Sequence, residues 1–263
     1  MSKYFYSVIL QVGLFCSLSP GCFSKPRPIS PGLTPSQFPS AFTSQWGDYF
    51  LSSSVFSYDD YDSSEIITDS GVNIGVGFGD AIKYISFEVD YNLESLRGLS
   101  NGGGFDIRVS RVLMADPNIY LAVGGGWLSG ISYGQIRDKD DTVYVALSAA
   151  VPLYPTRDSF RQVFQLNVGA ANGRLKGIFL NPDDFDNGLF LSAGIELSPS
   201  VGTSLGWSSR GLNASISAIP FANQPISLTL SGINLTNIDK AGRAAAFTVT
   251  WGDNFKTPRF NGF

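Results

Sequence analysis

Residues 71–79 have the sequence GVNIGVGFG and residues 85–91 have the sequence ISFEVDY, and in both stretches large apolar residues occupy every second position. Glycine or polar residues occupy the positions between them. A repeat of two residues puts alternate side chains on opposite faces of a β-strand, whereas the repeat of a helix is 3.6 residues. The two stretches therefore predict neighbouring strands, each with one apolar face and one small or polar face.

The same alternation recurs along the chain, interrupted by turn signals about every ten residues. The predicted strands are 47–56, 71–79, 85–91, 104–113, 119–128, 141–149, 163–170, 188–197, 201–208, 211–218, 225–234 and 243–253. We therefore predict an all-β fold, a closed antiparallel meander barrel of about 12 strands within residues 47–255. Residues 256–263 form a C-terminal tail.

A soluble sandwich would show the same alternation, but three features favour a transmembrane barrel. The polar faces carry small and amide residues with few charges, which suits a wet lumen. Connections alternate in length, with long loops predicted at 57–70, 94–103, 129–140 and 172–187, as in transmembrane barrels. Phe255 and Phe263 lie near the C-terminus, where the barrel-assembly machinery commonly recognises an aromatic residue.

The composition also suits a membrane barrel. Charged residues make up 15% of the chain, against about a quarter in soluble domains. No apolar run after the first 25 residues approaches the roughly 18 needed for a transmembrane helix. The net charge of −4 argues against a nucleic-acid partner.

The N-terminal region has two parts. Residues 1–24 predict an export signal peptide, with Lys3 before a short apolar core and small residues after it. Cys22 raises the question of lipidation. Residues 25–46 form a Pro-rich linker, too dense in proline for a strand or helix. The favoured interpretation is a flexible spacer, and the alternative is a periplasmic arm or pore plug.

Three motifs carry a resemblance to a known family. They are W-G-D-x-F at 46–50, G-x-G-x-G-D at 75–80, and a run from Trp207 to Thr236 that contains Pro220-Phe221. The chain resembles a family of cyanobacterial exported outer-membrane β-barrel proteins without a known activity. It departs from them after Phe221, where they tend to carry a basic residue. The resemblance implies a barrel in the outer membrane of a Gram-negative-type bacterium.

The chain contains no histidine, the side chain that most often transfers protons at neutral pH. We therefore expect no enzyme activity, no catalytic residues and no cofactor. The glycines at 75, 77 and 79 lack the following helix of a phosphate-binding loop. We interpret them, and the Gly124–Gly126 run, as lining a crowded lumen or permitting strand curvature.

Two groups of charged residues are candidate functional sites. The first group faces the predicted lumen, where it would select a permeant ion or close the lumen by ion pairing: Glu88, Asp90, Asp106, Arg108 and Glu196. The second lies in predicted outer loops, where solvated acids are the simpler interpretation and divalent cations the alternative: Asp59, Asp60, Asp62, Asp183, Asp184 and Asp186. No dedicated metal site is predicted.

Two functions remain open from the sequence. One is a narrow passive channel, or porin-like protein, for small solutes or ions. The other is a structural or surface-interaction barrel of the envelope, with a closed lumen and functional outer loops. The expected partners are outer-membrane lipid and the barrel-assembly machinery.

Overall fold

The computed structural model describes residues 31–59, 66–93, 95–96, 102–134, 141–156, 160–173, 188–208, 210–222, 224–237 and 242–256. Within them twelve strands form one closed sheet, in which each strand pairs antiparallel with its chain neighbours and the first pairs with the last. The predicted meander barrel is confirmed. The strands are β1 (Asp48–Asp59), β2 (Ile66–Gly79), β3 (Ser86–Leu93), β4 (Gly102–Asp116), β5 (Ile119–Gly134), β6 (Thr142–Pro152), β7 (Val163–Ala171), β8 (Gly188–Ser198), β9 (Val201–Ser208), β10 (Gly211–Ala218), β11 (Ile226–Ile233) and β12 (Ala244–Asn254).

The two faces of the strands differ as the sequence predicts. In β8 the Leu189 side chain is 70% exposed on the outside, whereas Ser192 and Glu196 point inward with 1% and 0% exposed. Large apolar side chains cover the outside of the other strands as well, which produces an apolar band around the barrel. Such a band stabilises a protein in the hydrocarbon of a bilayer. No helix in the described part of the chain is long and apolar enough to span a membrane.

The barrel has two rims, which we name by their connections. The terminal rim carries the start of β1 and the end of β12, together with the connections 80–85, 117–118, 153–162, 199–200 and 219–225. The distal rim carries the connections 60–65, 94–101, 135–141, 172–187, 209–210 and 234–243. The strand ends on either side of the longest connection, Ala171 and Gly188, are therefore at the distal rim.

Two of the predicted long loops are shorter than expected. β1 continues to Asp59 and pairs there with Ile66 of β2, so that the predicted loop 57–70 shrinks to 60–65. β5 likewise continues to Gly134. Backbone pairing between neighbouring strands does not require apolar side chains, so the strands extend past the segments in which the apolar alternation is visible. Asp59 is consequently the last residue of β1.

Local sequence explains the tight turns of the terminal rim. Pro117 and Pro199 each occupy the first position of a two-residue turn, where the fixed φ of proline suits a type I turn. A register shift lies beside each turn, as expected when a bulge compensates for the twist of a type I turn. In the connection after β2, the Asp80 carboxylate accepts hydrogen bonds from the backbone N–H groups of Ile82 and Lys83. The Lys83 N–H is the main cause that lowers the pKa of Asp80.

Polar contacts at the terminal rim close the seam between β1 and β12. The Asn254 amide donates a hydrogen bond to the Asp48 carboxylate at 2.8 Å. The backbone N–H of Phe255 donates to the Gly47 carbonyl at 3.0 Å, and the Phe255 ring packs edge-on against Trp46. Gly47 has a φ of 97°, and a Cβ there would lie 2.7 Å from the Asn254 side chain. A residue without a side chain is therefore required where the chain enters the barrel.

Candidate functional site in the barrel lumen

The inner wall of the barrel is built mainly from small and hydrogen-bonding side chains. Hydroxyl and amide groups recur on the inward face of successive strands, including Ser52, Asn73, Ser148, Ser192, Ser217 and Ser231. Barrels of eight strands are filled by their own side chains, and those of sixteen enclose a channel. A twelve-stranded wall of such small residues leaves space in the lumen.

Residues 31–45 lie in that space and Trp46 follows at the rim, and we call residues 31–46 the plug. Leu33, Phe38, Ala41 and Phe42 belong to the buried core of the molecule, although no plug residue is part of a strand. Because a spacer would be exposed to solvent, the favoured interpretation of these residues as a flexible spacer is wrong, and the pore-plug alternative describes them. Residues 25–30 of the predicted linker lie outside the described residues.

The plug enters and leaves the lumen at the same rim. Near its beginning, the Gly32 N–H donates a hydrogen bond to Ser217 in β10, one residue from the terminal rim. At its end, the Trp46 N–H donates to the carbonyl of Gly79, the last residue of β2. Between them the chain turns at Pro35–Phe38, where the Phe38 N–H donates to the Pro35 carbonyl. The plug is therefore a hairpin-shaped loop with both ends at the terminal rim.

The turn of the plug is held by β8 to β11 in the distal half of the lumen. The hydroxyls of Ser36 and Ser231 lie 2.6 Å apart, and the Asn213 amide donates to the Ser36 carbonyl at 2.9 Å. The Phe38 ring packs edge-on against Phe190, with 6.3 Å between centroids. These contacts fix the deepest point of the plug.

The returning limb of the plug follows β6 and then β3 and β4. The Ser148 hydroxyl accepts a hydrogen bond from the Ala41 N–H at 2.7 Å and lies 3.3 Å from the Ser40 hydroxyl. Further on, the Thr43 hydroxyl is hydrogen-bonded to the hydroxyls of Ser86 and Ser110, at 2.6 and 2.8 Å. Hydroxyl groups of the wall thus satisfy polar groups of a segment that has no secondary structure of its own.

Glycines of the wall make room for the plug. A Cβ at Gly194 would lie 2.1 Å from the Leu33 carbonyl oxygen, and one at Gly77 would lie 2.3 Å from the Gln45 carbonyl oxygen. Inward-facing glycines in other strands also have plug atoms as close neighbours: Gly124, Gly202 and Gly206. The interpretation of Gly77 and Gly124 as residues that line a crowded lumen is confirmed, and the crowding comes from the plug.

Four of the five predicted lumen charges come together in one cluster. The strand register places Glu88 opposite Arg108, and Asp90 opposite Asp106, on the inner face of β3 and β4. The Arg108 guanidinium contacts the Glu88 carboxylate at 2.5 Å, the Asp106 carboxylate at 3.1 Å, and the Asp90 carboxylate as well. Glu88 also accepts a hydrogen bond from the plug, through the Ser44 N–H at 2.7 Å. A charged group of the wall therefore contacts the plug directly.

The remaining candidates lie elsewhere. Glu196 is on β8, where its carboxylate accepts the Val163 N–H at 2.8 Å and caps the start of β7. The loop candidates Asp60, Asp62, Asp183, Asp184 and Asp186 lie outside the described residues. Among the residues that the structure describes, no group of three or more His, Cys, Asp or Glu is arranged to hold a metal ion.

Solved structures of outer-membrane proteins are similar to this chain. A KdgM porin aligns with a TM-score of 0.48 and 10% identity, over 77% of this chain and 98% of the porin. The COG4313 outer membrane channel from Pseudomonas putida F1 gives 0.47 and 10%, over 82% and 99%. Omp33 of Acinetobacter baumannii gives 0.40 and 9%, over 78% and 98%. At such identities and TM-scores the likeness does not indicate what passes through this barrel.

No protein-family model matches the chain, and no curated protein matches its sequence. The function must therefore be inferred from the lumen itself.

Proposed function

We propose that this protein is a narrow, porin-like channel of the bacterial outer membrane, closed in this conformation by its own N-terminal plug. The observation that carries the proposal is that a separate segment of chain, residues 31–46, occupies the lumen, within a wall of mostly small side chains and a few buried aromatic rings such as Tyr120, Tyr144 and Phe190. Removing that segment would leave a passage lined mainly by hydroxyl and amide groups, together with the aromatic rings of the wall.

The path of the plug supports a reversible closure. Because both ends lie at the terminal rim, the hairpin can leave the lumen without threading through the barrel. Most of its hydrogen bonds with the wall join neutral groups, and each is worth about 0.5–1.5 kcal/mol net. Water entering the lumen can replace these bonds one by one.

The orientation follows from the rims. Transmembrane barrels of bacteria place short turns in the periplasm and longer loops outside the cell. On that rule the terminal rim faces the periplasm and the distal rim faces outward. The plug would then enter from the periplasm, which is also where the predicted signal peptide would leave the mature N-terminus. Outer-membrane lipid would surround the apolar band.

A disulfide lock in the full-length protein tests the proposal. Ser36→Cys and Ser231→Cys place two thiols where the hydroxyls lie 2.6 Å apart, across the deepest contact of the plug. Both native cysteines precede residue 25 and fall in or beside the predicted signal peptide. In a planar bilayer, the oxidised double variant should be silent, and reduction should restore the opening events of the parent protein. Each single-cysteine variant should conduct with or without reductant.

Two results would overturn this function. One is conductance of the oxidised double variant equal to that of the parent, which would mean that the plug does not block the passage. The other is the absence of openings in the parent, the reduced variant and a variant that lacks residues 31–44, with all three folded. That second result would favour a structural barrel with a permanently closed lumen.

The aromatic anchors of the plug are the observation in favour of that second candidate. The Phe38 ring packs against Phe190 and the Phe42 ring against Tyr120, inside the core of the molecule. Burying a large apolar side chain contributes about 1.5–3 kcal/mol, and aromatic pairing adds to it. A plug held this way would also serve as a fixed core.

A further inference from the structure

We infer that the open channel selects cations over anions, with the carboxylates of Glu88, Asp90 and Asp106 as the selecting groups. The inference rests on the proposed function, because it concerns what crosses the lumen once the plug has moved. It also goes beyond that function by assigning the class of permeant and the residues that choose it.

Negative charge predominates among the buried side chains of the barrel. In the described part of the chain, the buried charged side chains comprise five carboxylates and one guanidinium. The carboxylates are Asp48, Glu88, Asp90, Asp106 and Glu196, and the guanidinium is Arg108. A lumen lined by one sign of charge within low-dielectric walls concentrates ions of the opposite sign.

The cluster around Arg108 contains more carboxylates than cations. Glu88, Asp90 and Asp106 share the Arg108 guanidinium on two neighbouring strands. One cation cannot neutralise three carboxylates, so the cluster keeps an excess of negative charge when all its members are ionised. Rings and clusters of carboxylates select cations in many channels.

Several buried polar atoms in and beside the cluster have no hydrogen-bond partner. One oxygen of the fully buried Asp90 carboxylate is unpaired, and so is the amide nitrogen of Asn92, two residues further along the same face. Neither polar atom of the buried Asn73 amide has a partner, and Asn73 lies opposite Asn92 in the register. Buried groups of this kind normally have partners. In an open, hydrated lumen, water or a passing cation would supply them.

The closed state adds a connection between selection and closure. One oxygen of Glu88 contacts Arg108 and the other accepts the Ser44 N–H of the plug. When the plug leaves, that second oxygen loses its donor and becomes available to ions in the lumen. The same carboxylate therefore holds the plug in the closed state and contributes negative charge to the passage in the open state.

The test measures the reversal potential of full-length protein in a planar bilayer that separates two concentrations of KCl. We compare the parent with the double variant Glu88→Gln/Asp90→Asn and with the single variant Asp90→Asn. Asp80→Asn serves as the matched control, because it removes the same charge from a turn of the terminal rim and Asn can keep the turn hydrogen bonds. Heat-modifiable gel mobility checks that each variant is folded.

The reversal potentials of the parent and of the Asp80→Asn control should be shifted from zero in the direction that indicates cation selectivity. The single variant should lose part of that shift and the double variant most of it. A parent that conducts but reverses at zero or on the anion side overturns the inference while leaving the channel function intact. An unchanged potential in the folded Asp90→Asn variant overturns the assignment to this cluster, even if the double variant fails to fold. If the parent shows no openings, the reversal potential is measured on the variant that lacks residues 31–44. The absence of openings in that folded variant as well overturns the channel function, and the selectivity with it.

Discussion

Replacing Ser148 by alanine should open the channel, because Ser148 is a wall residue that satisfies the plug backbone. Its hydroxyl accepts the Ala41 N–H at 2.7 Å, and both residues are fully buried. Alanine leaves that N–H buried without a partner, which costs about 1–3 kcal/mol. The contact exists only while the plug is in the lumen, so the cost falls on the closed state alone. The ratio of open to closed channels should therefore rise by about 5- to 150-fold.

The assay is the open fraction of single channels in a planar bilayer. Ser54→Ala is the matched control, because the Ser54 hydroxyl is also buried on the inner wall but bonds to Thr248 of the neighbouring strand at 2.9 Å. The control should change the open fraction little, since its bond persists when the plug moves. An equal rise in both variants would mean that any loss of a wall hydroxyl loosens the barrel. No rise in the folded Ser148→Ala variant would refute the reasoning that this bond holds the plug.

Three further predictions concern the barrel around the plug. Ala193→Arg, near mid-bilayer on the outer face of β8, should cost about 2–4 kcal/mol and abolish the heat-modifiable gel shift of the folded barrel. Leu189→Arg, close to the distal rim, should cost only about 0–1 kcal/mol, and this variant should assemble. Equal tolerance of the two substitutions would indicate that this face is exposed to water. In a pulse-chase assay, Phe255→Ala should reduce assembly more than Phe263→Ala, because Phe255 directly follows β12 and packs at the seam between β1 and β12. The reverse order would assign the assembly signal to Phe263. Hydrogen bonds within its turn lower the pKa of Asp80 from 3.8, so its carboxylate contributes stability above that value and loses it as the pH falls through the lowered pKa. The destabilisation by Asp80→Ala in denaturant titrations should therefore be present at neutral pH and shrink below about pH 4, and a pH-independent difference would contradict this.

The sequence by itself determined the strands and their faces. In β8 the order of residues alone shows Leu189, Leu191 and Leu197 alternating with the inward Ser192 and Glu196, and β9 and β10 have the predicted bounds. This works because a β-strand has a strict period of two, and a bilayer outside with water or polar groups inside imposes opposite requirements on alternate residues. Strand ends were less predictable. At Asp59, for example, pairing with Ile66 continues where the apolar signal has faded.

Only the tertiary structure determined which lumen charges act together. The sequence shows Glu88 and Asp90 on one face of a predicted strand and Asp106 and Arg108 on one face of the next, with Glu196 by itself on a later strand. The strand register brings the first three of these acids around Arg108, whereas Glu196 accepts the backbone N–H of Val163 on the neighbouring strand β7. The register depends on how whole strands pair, and it cannot be predicted from the few residues around one acidic side chain.

The plug was also decided by tertiary structure. Residues 31–46 have no periodicity, and their proline content alone is as typical of an exposed linker as of a buried segment. Their hydrogen-bond partners stand far away in the chain, 107 residues from Ala41 to Ser148 and 185 from Gly32 to Ser217. Those partners form one surface only after the sheet closes into a barrel. The local sequence could therefore predict that the segment would form neither strand nor helix, but its place in the lumen depends on a cavity that exists only in the folded protein.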